Sequence, residues 1–343
     1  MVKHATRLRV MQSFGPPRPT SNPYIHMLDE ALDADPELDH RRFDRRHALV
    51  GRYDAIHFHW PETLLGGSTA AKRLARRLYA TALLARLTIT RTTIVRTAHN
   101  LDLPSDLSRW DRWFLTSVDR RTDFYIRLNE ETPTRAGVPD TVIPHGHYRD
   151  WFASVSKLPA DQKSIGFVGL IRRYKGVETL IEAFRSTGRA LPGWRLRISG
   201  NPSPGLAPEV EALAAPDERI SLDLGYLSEE KFAQAIMRSG GIVLPYRAMH
   251  NSGTALAALS LDRAVLVPRN TVNEALSEEV GAGWVHMFDE TLSAADLTRF
   301  AEELERKAPV GSPFLDGRGW AVTGSRHRQA FEKAVATKRG RHR

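Results

Sequence analysis

The sequence predicts an α/β protein built of two doubly wound domains, and three observations carry that expectation. Apolar runs alternate with helical patterns from end to end, the alternation pauses once near the middle, and the 343 residues are enough for two cores of roughly 150 residues each. Alternation of this kind implies a mostly parallel sheet covered by helices on both faces.

In the first half, strands are expected at "RLRVMQSF", "DAIHFHW", "TTIVRTAHN", "DFYIRLN" and "DTVIPHG". Between them "STAAKRLARRLYATALLARL" repeats its apolar positions every three or four residues, as a helix does. From Tyr148 to Lys163 the run "YRDWFASVSKLPADQK" shows no clear strand. A second series follows with "SIGFVGL", "GVETLIEAFRSTG", "WRLRISG", "RISLDLGY", "SEEKFAQAIMRSG", "GIVLPYR", "AVLVPRN" and "GWVHMF". The expected organisation is residues 1–155 as a first domain and 156–320 as a second. Residues 321–343 would form a helix with a basic tail, the helix able to pack back on the first domain. No repeat of 20 to 50 residues suggests a solenoid.

Composition excludes several classes. Hydrophobic residues at 41% and charged residues at 26% describe a globular chain and rule out a disordered or collagen-like one. With no cysteine there are no disulfides, zinc-thiolate sites or thiol nucleophiles, which fits a reducing compartment. No apolar run approaches the roughly 20 residues of a membrane span, since "LYATALLARLTI" is interrupted by Arg86. The start "MVKHATRLRVMQSF" passes from basic residues directly into a strand pattern without an apolar leader. A cytoplasmic protein is expected, with a peripheral position on the inner face of the membrane as a further option. The thirteen histidines show no metal-binding spacing, and the "DAD" at Asp33 to Asp35 falls in a polar loop, so no metal is expected.

The net charge of +9 favours anionic partners, whether a phosphate-bearing ligand, an acidic membrane surface or nucleic acid. The interleaved aromatics and basic recognition helix of a nucleic-acid binder are missing, so no nucleic acid is expected.

Ligand sites in doubly wound sheets lie beyond the carboxyl ends of the strands. The most informative such place is "FVGLIRRYKGVETLIEAF". There a strand ends at Gly169, a loop presents Arg172, Arg173 and Lys175, and Gly176 opens an amphipathic helix. Glycine permits close backbone approach, the helix start favours an anion and the cations can neutralise a diphosphate. The run is neither a Walker loop nor a G-x-G-x-x-G fingerprint, which weakens kinase and dehydrogenase readings.

With those residues in place, the whole chain resembles a GT-B glycosyltransferase. Its second half is similar to the donor domain of the large family of nucleotide-sugar transferases marked by "GRL…KG…LIEA". Gly169, Lys175, Gly176 and the "LIEAF" helix match that pattern, while Leu170 stands where the family usually has Arg, leaving Arg172 or Arg173 to supply the cation. The resemblance implies two Rossmann-like domains facing a central cleft, with sugar transfer from a nucleotide diphosphate sugar and no cofactor or metal. The family pattern also places two glutamates on a strand-to-helix turn; here those positions fall at about Met249 and Ala257. In retaining members these acids contact the donor sugar and ribose. The "SG" of "PYRAMHNSGT" with both acids lost resembles transferases of bacterial exopolysaccharide synthesis, including inverting β-mannosyl and glucuronosyl enzymes.

In place of the acids, Ser252, Gly253 and Thr254 start a helix whose free N–H groups suit an anion. Asn251, Tyr246 and Arg247 add polar contacts, and Tyr226 in "GYLSEE" lies where a nucleobase would dock. Guanine and uracil donors both remain open, with GDP-mannose favoured by the resemblance. An inverting enzyme needs a general base for the acceptor hydroxyl. Glu62 is the first choice, Asp102 the second, and His99 a further one. Arg18, Asn22, Tyr24, His59, Trp60 and His145 are candidate acceptor contacts, Arg18 facing a lipid-linked pyrophosphate. The helix from Thr69 to Arg86, with Lys72, Arg73, Arg76, Arg77 and Arg86, either rests on an anionic bilayer or is solvated. The expected activity is transfer of a hexose or uronic acid to a glycan or lipid-linked acceptor with inversion. A retaining enzyme with other groups in place of the glutamates is one alternative, and a basic nucleic-acid-binding protein is the alternative of another class.

Overall fold

The computed structural model describes residues 7–18, 21–99, 107–307 and 309–341. The chain divides into one unit of Met1–Gly146 with Gly317–Arg343 and another of His147–Asp316.

In the first unit the described strands are β1 (Leu8–Gln12), β2 (Leu38–Arg41), β3 (Ala55–Phe58), β4 (Thr93–Ala98), β5 (Phe124–Arg127) and β6 (Asp140–Val142). They form a parallel sheet in the order β2-β1-β3-β4-β5-β6. The order reverses direction between β1 and β3, and side chains leaving the carboxyl ends of those two strands flank a crevice. Helices α1 (Pro23–Asp33), α2 (Arg45–Val50), α3 (Ala70–Ile89) and α4 (Arg109–Arg121) connect the strands. Asn22 caps α1 by accepting the Tyr24 N–H at 3.0 Å, with Pro23 pre-set for the first turn. The buried side of α3, through Leu83 and Leu87, packs with Met11, Ile56, Phe58 and Phe114 into one apolar core.

Strand β2 is absent from the sequence expectation. It is an edge strand of four residues, "LDHR", with only Leu38 buried, and Asp39 pairs with Arg41 at 2.6 Å. So short and charged an edge carries no apolar run to read. The neighbouring "DAD" is structural: Asp33 accepts from His40 at 3.0 Å, and Asp35 from Arg328 at 3.0 Å.

In the second unit the strands are β7 (Asp161–Val168), β8 (Arg195–Gly200), β9 (Ile220–Leu224), β10 (Ser239–Val243), β11 (Ala264–Pro268) and β12 (Val285–Phe288). They lie parallel in the order β12-β11-β10-β7-β8-β9, so the reversal falls between β7 and β10. The connecting helices are α5 (Val177–Ser186), α6 (Ala207–Ala214), α7 (Glu229–Met237), α8 (Gly253–Ser260), α9 (Thr271–Val280) and α10 (Ala294–Lys307). This unit begins earlier than residue 156. Tyr148 and Phe152 are buried, Phe152 stacks on Phe232, and the Tyr148 N–H donates to Ser260 Oγ at 2.9 Å.

The last helix, α11 (Trp320–Gly340), belongs to the first unit. It crosses α1 closely at Gly324, where a Cβ would lie 2.7 Å from the Ala31 carbonyl oxygen. Arg328 reaches Asp35, and Lys338 Nζ reaches Asp123 at 2.7 Å.

Candidate active-site regions

In the second unit the loop after β7 meets the loop after β10, at the point where the strand order reverses. Gly169 leaves β7 with φ at 128° and Gly176 turns into α5 with φ at 66°, conformations that favour glycine. A Cβ on Gly176 would meet the Pro245 carbonyl oxygen at 2.3 Å, so the two loops touch through backbone. The Arg247 N–H donates to the Tyr174 carbonyl oxygen at 3.0 Å and fixes the same approach.

The three cations expected on the first loop have different fates. Arg173 is neutralised by Glu209 at 2.7 Å and Glu178 at 3.6 Å. Arg172 folds back onto the carbonyl oxygens of Ile171 and Asn201 at 2.8 and 2.9 Å. Lys175 has no carboxylate partner among the described residues, and its ammonium lies 4.9 Å from the centre of the Tyr246 ring. The replacement cation expected from Arg172 or Arg173 is therefore not supplied by a free arginine. The Tyr246 hydroxyl is buried without a partner among the described residues, and exposed Arg247 forms no ion pair there either.

Ser252 caps α8 by accepting the Ala255 N–H at 3.2 Å, which leaves the Gly253 and Thr254 N–H groups at the open helix end. Thr254 Oγ1 is 3.6 Å from where a Gly169 Cβ would sit, so that helix end adjoins the β7 loop. Tyr148, whose phenol is pushed up by burial, has its hydroxyl 3.0 Å from a Cβ placed on Gly253. The positions expected to have lost glutamates hold Met249 and Ala257, both buried. The Met249 carbonyl oxygen accepts from Asn270 Nδ2 at 2.8 Å. Asn251 precedes the cap, and Tyr226, in the loop after β9, is 68% exposed.

In the first unit a cavity of about 1420 Å³ opens at the carboxyl ends of β1 and β3. Its walls come from the Ser13–Arg18 loop, the start of α1 with Asn22 and Ile25, Phe43 and Arg45, His59 to Leu64 in part, and the face of α3 bearing Lys72, Arg76 and Tyr79. Arg18, Arg45, Lys72 and Arg76 line it, and no carboxylate among the described residues does. None of these four cations has an ion-pair partner among the described residues; Arg76 donates to the Leu65 carbonyl oxygen at 2.8 Å.

Of the expected acceptor contacts, Arg18, Asn22, His59 and Trp60 line this cavity. Tyr24 does not: at 2% exposure it is core, packed against His59, Trp60, His99, His145 and Trp320. His145 supports it from behind, its Nδ1 donating to the Gly146 carbonyl oxygen at 2.8 Å. Glu62 lies half-buried on the 3-10 turn Pro61–Leu64, whose neighbours Trp60, Thr63 and Leu64 line the cavity. Asp102 lies outside the described residues. The sequence reading missed Phe43, Arg45 and Tyr79, which reach the cavity from separate elements at no recognisable spacing, and it assigned Lys72 and Arg76 to an outer face.

Beneath the cavity floor runs a histidine network. The Gln12 amide oxygen accepts from His57 Nδ1 at 2.9 Å and from His59 Nε2 at 3.3 Å, while His57 Nε2 meets Thr97 Oγ1 at 2.8 Å. His59 Nδ1 then accepts from His99 Nε2 at 3.3 Å, and His99 stacks on Trp60 with ring centres 4.1 Å apart. That pattern satisfies each of His57 and His59 as a neutral imidazole. Burial holds His57 and His59 well below the usual imidazole range, and pushes His99 down to about 3 and both His145 and His327 to about 4. Among the described residues no cluster of three or more His, Asp or Glu side chains can hold a metal ion.

No family model matches the chain. Two proteins of Xanthomonas campestris pv. campestris, each named GDP-mannose:glycolipid 4-beta-D-mannosyltransferase, are 41% and 40% identical to it over 334 residues, spanning 96% of this chain and 94% of each relative. Among solved structures, the sucrose-phosphate synthase of Thermosynechococcus elongatus aligns with a TM-score of 0.59 at 14% identity, covering 98% of both chains. Anabaena HepE in complex with UDP aligns with a TM-score of 0.58 at 12% identity, again over 98% of both chains. These structural likenesses concern the fold, which is that of the GT-B glycosyltransferases.

Proposed function

The chain belongs to the glycosyltransferase family of the GDP-mannose:glycolipid 4-beta-D-mannosyltransferases, and from that premise we propose that it transfers mannose from GDP-mannose to a glycolipid with inversion at the anomeric carbon. The 41% identity carried across 96% of the chain is the observation that supports this reading most. The buried Met249 and Ala257 agree with it, because a donor helix without carboxylates has lost the groups that retaining relatives use.

The second unit holds the donor. Lys175, Arg247 and the N–H groups of Gly253 and Thr254 neutralise the diphosphate, and the Tyr246 hydroxyl donates to it or to the ribose. With those charges supplied by the chain, transfer proceeds without a metal ion. The acceptor hydroxyl, seated in the first-unit cavity with Trp60 against its sugar, attacks the anomeric carbon. The bond from that carbon to the diphosphate oxygen breaks, its electron pair stays on departing GDP, and the hydroxyl proton passes to a base. One displacement on an α-linked donor gives a β-linked product. His99 is set aside as the base, because its Nε2 donates to His59 and its ring is stacked on Trp60. Glu62, half-buried on the turn whose neighbours Trp60, Thr63 and Leu64 line the cavity, is the base of this proposal.

Thermal melting with GDP, UDP and ADP, with and without Mg2+, tests the donor assignment. At a hundredfold excess over Kd, GDP should stabilise the chain by about 2.7 kcal/mol without Mg2+, and Lys175→Ala should abolish the shift. A shift with UDP but not GDP, or one that requires Mg2+, contradicts it.

A further inference from the structure

Three neighbouring strand ends of the first unit put five polar side chains on one face of the sheet. Gln12 ends β1, His57 and His59 alternate along β3 and the residue after it, and Thr97 and His99 do the same at the end of β4. Parallel pairing sets Gln12 opposite His57, and period-two alternation keeps the members of each pair on the same side. Helix α11 packs on that side, with the Phe331 ring 5.1 Å and the His327 ring 5.8 Å from His57. Gln12, His57 and Thr97 are fully buried, and His59 is 3% exposed.

Apolar side chains of the same shape would pack this face at little loss of stability, whereas amides and imidazoles must all be paired. What the polar set adds is direction. The Gln12 amide oxygen accepts from both His57 Nδ1 and His59 Nε2 and so fixes the tautomer of each ring. His57 is left with Nε2 to accept from Thr97 Oγ1, and His59 with Nδ1 to accept from His99 Nε2. Gln12 Nε2 stays buried without a partner among the described residues, a cost that packing alone does not explain. The His59 backbone N–H donates to Ser13 Oγ at 3.0 Å, so main chain and side chain are both tied where β3 ends. Burial holds the three rings neutral, as a chain of single donors requires.

The chain of hydrogen bonds ends against Trp60. His99, its plane held through Nε2, lies along the indole with ring centres 4.1 Å and planes 19° apart, and Tyr24 meets the same indole edge-on at 6.3 Å. Trp60 in turn lines the first-unit cavity. We infer that Gln12 is a positioning residue: through His59 and His99 it sets the angle at which Trp60 faces the acceptor sugar. Without the amide oxygen two imidazole N–H groups lose their acceptor, His59 is free to turn and His99 is released from its plane. That a sugar sits on Trp60 rests on the proposed function, but the setting of the Trp60 ring does not.

The test labels all seven tryptophans of the full chain with 5-fluorotryptophan and assigns the Trp60 fluorine resonance by its loss in Trp60→Phe. Gln12→Met removes the oxygen acceptor at similar volume, and His59→Phe breaks the same chain while keeping a ring. Thermal melting confirms which variants fold. Each folded variant should shift or broaden the Trp60 resonance, raise the KM for the glycolipid about five- to tenfold and leave the GDP-induced melting shift unchanged. In a Trp60→Ala background, Gln12→Met should raise that KM no further. An unmoved Trp60 resonance in a folded variant overturns the inference, as does an unchanged KM. A further rise in the Trp60→Ala background also overturns it, since Gln12 would then act by another route. A wild-type chain that transfers no mannose removes the proposed function instead, and the fluorine spectra still decide whether Gln12 sets the Trp60 ring.

Discussion

Lys175 carries more of the proposed donor site than the two arginines that precede it, although all three look alike in the sequence. The difference arises from neighbours: Glu209 and Glu178 occupy Arg173, backbone carbonyls hold Arg172, and Lys175 faces the Tyr246 ring with no carboxylate partner among the described residues. Lys175 and Gly176 were legible because a strand end, a cation and a glycine lie within a few residues. Arg45 and Tyr79 were not, because only the folded sheet brings them to the cavity. If Glu62 is the base, Glu62→Gln should lower kcat by about 100-fold or more and leave the GDP-induced melting shift intact; unchanged kcat would remove it from that role. The buried histidines give a second test. Their folded pKa values lie below the unfolded value of about 6.5, so the unfolded chain binds more protons below that pH and stability falls on acidification. The urea midpoint should therefore fall between pH 6.5 and 5, above the usual carboxylate range. A flat profile there would show that these rings are not held neutral by burial.

At the level of elements, sequence periodicity identified long, buried strands and missed the short charged edge β2. It also found α3 but assigned one exposed face to it. The structure divides that helix between core, cavity wall and an exposed outer side, a division that depends on which neighbours cover each side. The turn between β7 and α5 was readable from Gly176, and its tolerance is low. Gly176→Ala must place a side chain at φ 66° against the Pro245 carbonyl oxygen, which should cost about 1–3 kcal/mol and weaken GDP binding by displacing the Tyr246 loop. A chain of unchanged stability and GDP affinity would show that the two loops do not depend on this contact.

Across the whole molecule, two sheets each place polar loops where their strand order reverses, and the chain assigns cations to both. One set has a buried tyrosine and a helix start beside it, and the other has a wide cavity walled by Phe14, Phe43 and Trp60, with no carboxylate among its described lining residues. The two doubly wound units were legible from the alternation of runs. The boundary was displaced because Tyr148 and Phe152 bury in the second unit, and a "YRDWF" loop gives no strand signal by which to assign it. The central claim is single-displacement mannosyl transfer, and the anomeric configuration of the product tests it most directly. With GDP-mannose and a glycolipid acceptor, NMR of the product should show a β-mannoside. An α-mannoside would mean that configuration is retained, and would contradict the account despite the missing glutamates.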